Sequence, residues 1–288
     1  MTKCIICNSK KIINFPGVMT QFLIHRMEII EKSAHLNKCA NCSFAFFDYR
    51  PSDLEMQKLY LNYRDKDYQK IRQIYEPFYT KEFNSSLGSE EEVQEKRLNL
   101  LNVLKKAKID YCFINNILDY GGDRGQNIDI PEFLNANKYI YDIAGIEVIS
   151  SIKNVANFSN EEKKEKFDLV VSQHTLEHIS YPVSSMKEIH YMLKKGGYFY
   201  FELPQDDPTA SYFSKRRMIA SYFFKKYRKY LTKLFFYKKL PVFMHEHINY
   251  FDKKSVKFLC KKSGLKLLEC FDGNLRGGRV ICGLALKK

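Results

Sequence analysis

At 288 residues, with 45% hydrophobic and 28% charged side chains, the chain can bury a sizeable core and has the balance of a soluble globular protein. No apolar run approaches the roughly 18 residues that cross a bilayer, and Met1 to Lys11 lacks the apolar middle of a secretory signal, so a cytoplasmic location is expected. The net charge of +14 has a local source, because Pro208 to His245 contains ten Lys and Arg and no acid.

The chain opens on two cysteine pairs, Cys4-Ile-Ile-Cys7 and Cys39-Ala-Asn-Cys42, separated by 31 residues. A two-residue gap lets both sulfurs of a pair reach one ion, and two pairs complete a tetrahedral four-thiolate site. Residues 1–50 are therefore expected to be a zinc-binding head whose ion, lacking an open position, is structural. His25 and His35 between the pairs read as ordinary residues. The other four cysteines lie singly in apolar contexts, as core residues of a reducing compartment do.

Residues 51–110 read as a helical connector. Its first part is aromatic and charged, and its second begins at Ser89, where Glu92 three residues on predicts a capping box for a helix to about Lys106. From residue 111 strands alternate with helical stretches. Strands are expected at about 116–120, 138–142, 167–172, 197–203, 265–271 and 279–286, with a weak third strand ending near Ala156 to Phe158. One helix should start at Pro182 and close at Gly196, and another should run from Asp252 to Gly264. Alternation of this kind predicts an α/β fold, a doubly wound, Rossmann-like, mostly parallel sheet of seven strands.

Within that alternation, Ile117 to Gln126 reads ILDYGGDRGQ, and Tyr139 to Asp142 reads YIYD. An apolar strand ends in Asp119, runs into a turn at Gly121, Gly122 and Gly125, and should continue into a short helical stretch. A second strand ends in Asp142. Glycines let a backbone approach a ligand where a Cβ would collide, and the second acid can grip ribose hydroxyls. Together with FDLVVSQHTLEH at 167–178 and GYFYFEL at 197–203, these segments resemble the class I S-adenosylmethionine-dependent methyltransferases over about residues 110–288. The resemblance implies S-adenosylmethionine as cofactor. It would be held by Asp119, Gly121, Gly122, Gly125 and Asp142, with Ala156 to Phe158 bordering the adenine and Gln173 and His174 flanking the methionine moiety. The chain departs from the family's D-x-G-x-G-x-G pattern at Asp123, in place of the middle glycine. A carboxylate there disfavours a pyrophosphate cofactor such as NAD and requires Asp123 to point away or to meet the ammonium end.

Two acid–histidine clusters follow, His174-Glu177-His178 and His245-Glu246-His247. The first resembles a segment that shapes a helix start throughout the superfamily. The second precedes a helix and should hang over the strand ends, where His247 can remove a proton and Glu246 can orient it or bind a hydroxyl. The four-cysteine head, the core and this late Glu-His pair resemble the zinc-headed sugar C-methyltransferases. The run from Tyr60 to Arg64, continued by Tyr68 and Arg72, resembles zinc-headed methyltransferases of surface-polysaccharide biosynthesis. The implied activity is methyl transfer to a sugar or glycan intermediate, nucleotide- or lipid-linked. An RNA methyltransferase and a catalytically inactive, membrane-associated binding protein stand as alternatives. The basic, aromatic insertion at about 209–240 has three readings: peripheral contact with an anionic membrane at the inner face, binding of phosphates on a glycan carrier or RNA, or a solvated helical cap.

Overall fold

The computed structural model describes residues 2–30, 33–209 and 241–288. The basic insertion at 212–240 lies outside the described residues.

The head contains β1 (Ile12–Phe15), β2 (Gly17–Met19), α1 (Gln21–Met27), β3 (Leu36–Cys39) and β4 (Ala45–Phe47). Four connector helices follow: α2 (Asp53–Tyr60), α3 (Lys66–Tyr75), α4 (Lys81–Ser86) and α5 (Glu90–Lys106). Each starts at a Ser, Asp or Thr whose side chain accepts an N–H of the first turn, which satisfies donors that have no partner inside the helix. At α5 only half of the expected box forms. Ser89 accepts from Glu92 N, while the Glu92 carboxylate turns back to Gly88 N and to Lys96.

The core is built from β5 (Asn116–Tyr120), β6 (Asn137–Tyr141), β7 (Lys153–Asn154), α6 (Asn160–Lys163), β8 (Phe167–Gln173), α7 (Pro182–Met192), β9 (Leu193–Pro204), β10 (Val242–Met244), β11 (Asn249–Tyr250), α8 (Lys253–Lys262), β12 (Leu265–Leu275) and β13 (Gly278–Lys287). Its sheet has the strand order β12-β13-β9-β8-β5-β6-β7. The pairs from β7 to β9 are parallel, and β13 runs antiparallel to both of its neighbours. The sheet is thus Rossmann-like and mostly parallel. Its order reverses at β5, so the carboxyl ends of β5 and β8 open a crevice there.

Two expectations fail locally. No α-helix follows the glycine bend directly: Pro131 holds Ile130 extended at φ −124°, which leaves too few residues after Gly125 to nucleate one, and the only helical stretch there is the single 3-10 turn Pro131–Phe133. The helix from Pro182 stops at Met192 rather than at Gly196, because Leu193 already pairs with Phe167, and Gly196 (φ +79°) sits in an irregular stretch inside β9.

The head is stitched to the core. β11 pairs with β4 and β10 with β2, so the stretch carrying His245 to His247 hangs between two strands of the head. Arg50 donates to the carbonyls of Ser180 (2.8 Å), Ile179 (3.0 Å) and Ile248 (3.3 Å) and to Oδ1 of Asn249 (2.7 Å). No helix among the described residues is long and apolar enough to cross a membrane.

Candidate functional site

β5 delivers Asp119 to the carboxyl edge of the sheet, where the chain bends through Gly121 (φ +78°). A Cβ on Gly121 would lie 2.3 Å from Cγ2 of Thr175, and one on Gly122 would lie 2.2 Å from Cγ of Asp119. Glycine is therefore demanded by how tightly the bend seats on Asp119 and Thr175. Asp119 is fully buried, and neither carboxylate oxygen has a hydrogen-bond partner. Burial pushes its carboxyl up to about 7, against the pull of Lys96. Asp142 comes to the same bend, as the sequence requires. Its Oδ2 accepts from Asp123 N at 2.9 Å and its Oδ1 from Ala144 N at 2.7 Å.

Asp123 occupies the glycine position in the left-handed conformation (φ +60°), and its carboxylate is ion-paired with Arg64 from the connector. The charge that the sequence places in the bend is thus neutralised by the run Tyr60 to Arg64. The bend forms one wall of a cavity of about 690 Å³. Gly121, Gly122, Gln173 and His174 line it, whereas Asp119 sits beneath Gly122, and Asp142 and Gly125 brace the bend from outside the lining.

The other end of the same cavity is made by His178, His245, Glu246 and His247. His174 is wedged between two buried carboxylates, Glu177 (3.4 Å) and Glu202 (3.2 Å). Burial disfavours its charged form, but these two acids outweigh that and lift it to about 9. Glu177 is held near 2, its burial more than offset by the imidazoles of His174, His178 and His247. The ring of His178 lies 4.8 Å from that of His247. Its Nδ1 is 3.0 Å from the Glu246 carbonyl and 2.8 Å from the Tyr60 hydroxyl.

Glu246 does not orient His247. Its carboxylate accepts from Arg72 at Oε1 and Oε2, both at 2.8 Å, and from the Tyr68 hydroxyl at 2.9 Å. Buried at this depth, it has to be spent on a cation, and burial's upward push on its pKa is overcome by Arg72. The acid beside His247 is Asp206, at 3.5 Å from Nδ1. Asp206 carried no signal in the sequence. Glu202 did, as the lone carboxylate in the apolar run GYFYFEL, and Arg64 and Arg72 belong to the tyrosine-rich run already noted.

In the head, Cys4 Sγ is 3.5 Å from Cys42 Sγ and Cys7 Sγ is 3.6 Å from Cys39 Sγ, and none of the eight cysteines is in a disulfide. Each pair closes the same knuckle. The residue after the second cysteine is left-handed (Asn8 φ +59°, Ser43 φ +66°), and its N–H donates to the carbonyl of the first at 2.9 Å. Four sulfurs brought together by two like knuckles are a donor set that fits one tetrahedral ion.

Residues 63–270 match a protein family described as a methyltransferase domain. No curated protein matches the sequence. Among solved structures, the chain is similar to the 1,6-didemethyltoxoflavin-N1-methyltransferase of Burkholderia thailandensis, crystallised with 1,6-didemethyltoxoflavin and S-adenosylhomocysteine. The identity is 11%, covering 86% of this chain and 97% of that one, with a TM-score of 0.49. It is also similar to the N-methyltransferase NodS of Bradyrhizobium japonicum WM9 bound to S-adenosylhomocysteine, at 14% identity over 67% of this chain and 86% of that one, with a TM-score of 0.42. A third similar structure is the magnesium protoporphyrin IX methyltransferase of Synechocystis PCC 6803 with bound S-adenosylhomocysteine, at 9% identity, 68% and 83% coverage and a TM-score of 0.41.

Proposed function

The chain belongs to the methyltransferase domain family and is an S-adenosylmethionine-dependent methyltransferase, and from that premise we propose that it methylates a sugar or glycan intermediate carried on a nucleotide or a lipid. The observation that carries this reading is the single cavity, with the glycine bend over the buried, partnerless Asp119 at one end and the imidazole–carboxylate cluster at the other.

At the first end Asp119, Gly121, Gly122, Gln173 and His174 would hold the cofactor, with Asp142 and Gly125 fixing the bend. Asp119 suits the group, because an orphaned buried carboxylate is stabilised by a cationic ligand. S-adenosylmethionine, when bound, supplies an electrophilic sulfonium methyl. The protein then has to hold the acceptor in line, exclude water and draw off a proton. We assign the last task to the histidine cluster around His247, with Asp206 beside its ring and His178 packed against it, whether His247 acts directly or through a bound group. Asp206 and His245, with Tyr63 and Tyr79 on the same lining, give the acceptor end the mix of polar groups and aromatic surface that sugar hydroxyls and their C–H faces require. The ten cations between Lys215 and Lys239 lie outside the described residues and are assigned, on their charge alone, to the phosphate of the acceptor's carrier. Cys4, Cys7, Cys39 and Cys42 are assigned a structural zinc.

Calorimetry with S-adenosylhomocysteine and with NAD tests the cofactor, and transfer of a radiolabelled methyl group tests the acceptor class. Binding of the first ligand alone is expected, with label passing to nucleotide- or lipid-linked sugars in preference to free sugars or transfer RNA. Binding of NAD only would sink the cofactor assignment, and label found in RNA would sink the glycan assignment.

A further inference from the structure

We propose that Glu177, His178 and His247 form a second metal site, for a divalent transition ion, on the wall of the methyl-transfer cavity. The inference rests on the acceptor half of the reading above and deepens it.

The three side chains offer one carboxylate oxygen and two imidazole nitrogens, all within 4.8 Å of one another. Each histidine has its other nitrogen engaged. Nδ1 of His178 lies 3.0 Å from the Glu246 carbonyl and 2.8 Å from the Tyr60 hydroxyl; the carbonyl can only accept, so the tautomer that satisfies it carries the proton on Nδ1 and leaves Nε2 for an ion. Nδ1 of His247 faces Asp206, which again leaves Nε2. An imidazole that donates one N–H to a carbonyl or carboxylate and presents the other nitrogen is how metal-binding histidines are held. The bare Nε2 of His178 stands 3.9 Å from Oε1 of Glu177. Two acceptors facing each other in a buried site call for something positive between them, and the His174 imidazole, 3.4 Å from Glu177 (1% exposed), is shared with Glu202.

The surrounding charges say the same. Glu177 and Glu202 are both buried and share one cation-forming group, His174. Glu76 and Glu246 likewise share Arg72, with His245 3.3 Å from Glu76. Buried carboxylates outnumber the strong cations beside them, and a divalent ion at Glu177 restores the balance.

Donors bound at about 2.1 Å stand roughly 3 to 3.5 Å apart, so small rotations of the two rings close the site. Two nitrogens and one oxygen suit manganese, iron, cobalt or zinc better than magnesium or calcium. His178 and His247 both face the cavity, so the remaining positions are open to an acceptor that presents two neighbouring oxygens, as a vicinal diol or hydroxyketone does. An ion held there would acidify a bound hydroxyl, so that its proton passes to water and the oxygen keeps the electron pair. That oxygen attacks the sulfonium methyl, and the S–CH3 bond breaks with its electron pair leaving on the sulfur of S-adenosylhomocysteine. His247 then activates the acceptor by holding the ion instead of taking the proton itself.

Full-length protein holding a single equivalent of zinc, which the four thiolates of the head take first, is titrated with Mn2+ and followed by the electron paramagnetic resonance signal of free Mn2+; this tests the site, because manganese shuns those thiolates. One equivalent should bind. Glu177→Gln and His178→Gln should weaken it at least 100-fold. Asp206→Asn, at an exposed position that is safe for folding, should weaken it 10- to 100-fold. Calorimetry with S-adenosylhomocysteine on the same samples separates the two readings. Protein that binds S-adenosylhomocysteine but no Mn2+, or a Glu177→Gln variant that binds Mn2+ as wild type does, overturns the metal site. Protein that binds Mn2+ but not S-adenosylhomocysteine keeps the metal site and refutes the cofactor reading.

Discussion

Asp123 is where a single residue departs from what its neighbours lead one to expect, and Arg64 is its answer. Arg64→Ala leaves a carboxylate unneutralised beside the bend, so the Kd for S-adenosylhomocysteine should rise about tenfold or more, corresponding to one charge-assisted contact of about 1.5 kcal/mol. Arg64→Ala with Asp123→Asn should recover most of that loss, since the stranded charge is then gone. A double variant as weak as the single one, by calorimetry, would mean that Arg64 contacts the ligand directly. Asp119 makes a second residue-scale prediction. Burial raises its folded pKa from the ordinary carboxylate value to about 7, so the unfolded chain loses its proton first as pH rises. Without ligand, stability should therefore fall between about pH 4 and pH 7, by a few kcal/mol from this group, and Asp119→Asn should abolish that slope. A ligand with an ammonium group favours ionised Asp119. Binding near pH 6 should then release a proton, visible as a dependence of the calorimetric heat on the buffer's ionisation enthalpy, and a heat identical in all buffers would contradict it.

At the scale of elements, the strand ends supply the site. Asp119 lies one residue before the end of β5, Gln173 closes β8, and Glu202 lies near the end of β9, so parallel strands stop in one plane and put their polar termini on one edge. The segment from Val242 to Tyr250 is set against that edge from outside, by pairing with β2 and β4 and by the Arg50 clamp. Burial pulls the Arg50 guanidinium down to about 10, and it donates to carbonyl and amide oxygens, not to carboxylates. Arg50→Ala should leave those oxygens without donors and cost about 3 kcal/mol or more. Urea unfolding measures this, and a loss under 1 kcal/mol would show that the strand pairs alone hold the segment.

At the scale of the molecule, the head is part of the enzyme's core. Cys4, Cys39, Cys42, Phe44 and Phe46 belong to the same apolar cluster as Leu118, Leu176 and Phe251, and the Phe44 and Phe251 rings are 5.0 Å apart. Loss of the zinc proposed for the four thiolates should therefore not melt a separate knob. Cys39→Ser, or chelation, should lower the melting temperature of the whole chain by about 10 °C or more in one cooperative transition. It should also weaken the acceptor end, because His245 to His247 hang from head strands. A small early transition with an unchanged main one in differential scanning calorimetry would contradict this.

The sequence by itself determined what depends on neighbours along the chain. The strand and helix periods, the cysteine knuckles, the bend at Gly121 and the acid ending each of its first two strands are local patterns, and the family follows from their order. Only the tertiary structure decided which charges meet. That Arg64 covers Asp123, that Arg72 takes the Glu246 carboxylate intended for His247, and that Asp206 stands beside His247 instead are contacts across 59, 174 and 41 positions of sequence. Such pairings are set by the requirement that every buried charge find a partner once the chain is packed. No local rule encodes that requirement, since it is met in three dimensions.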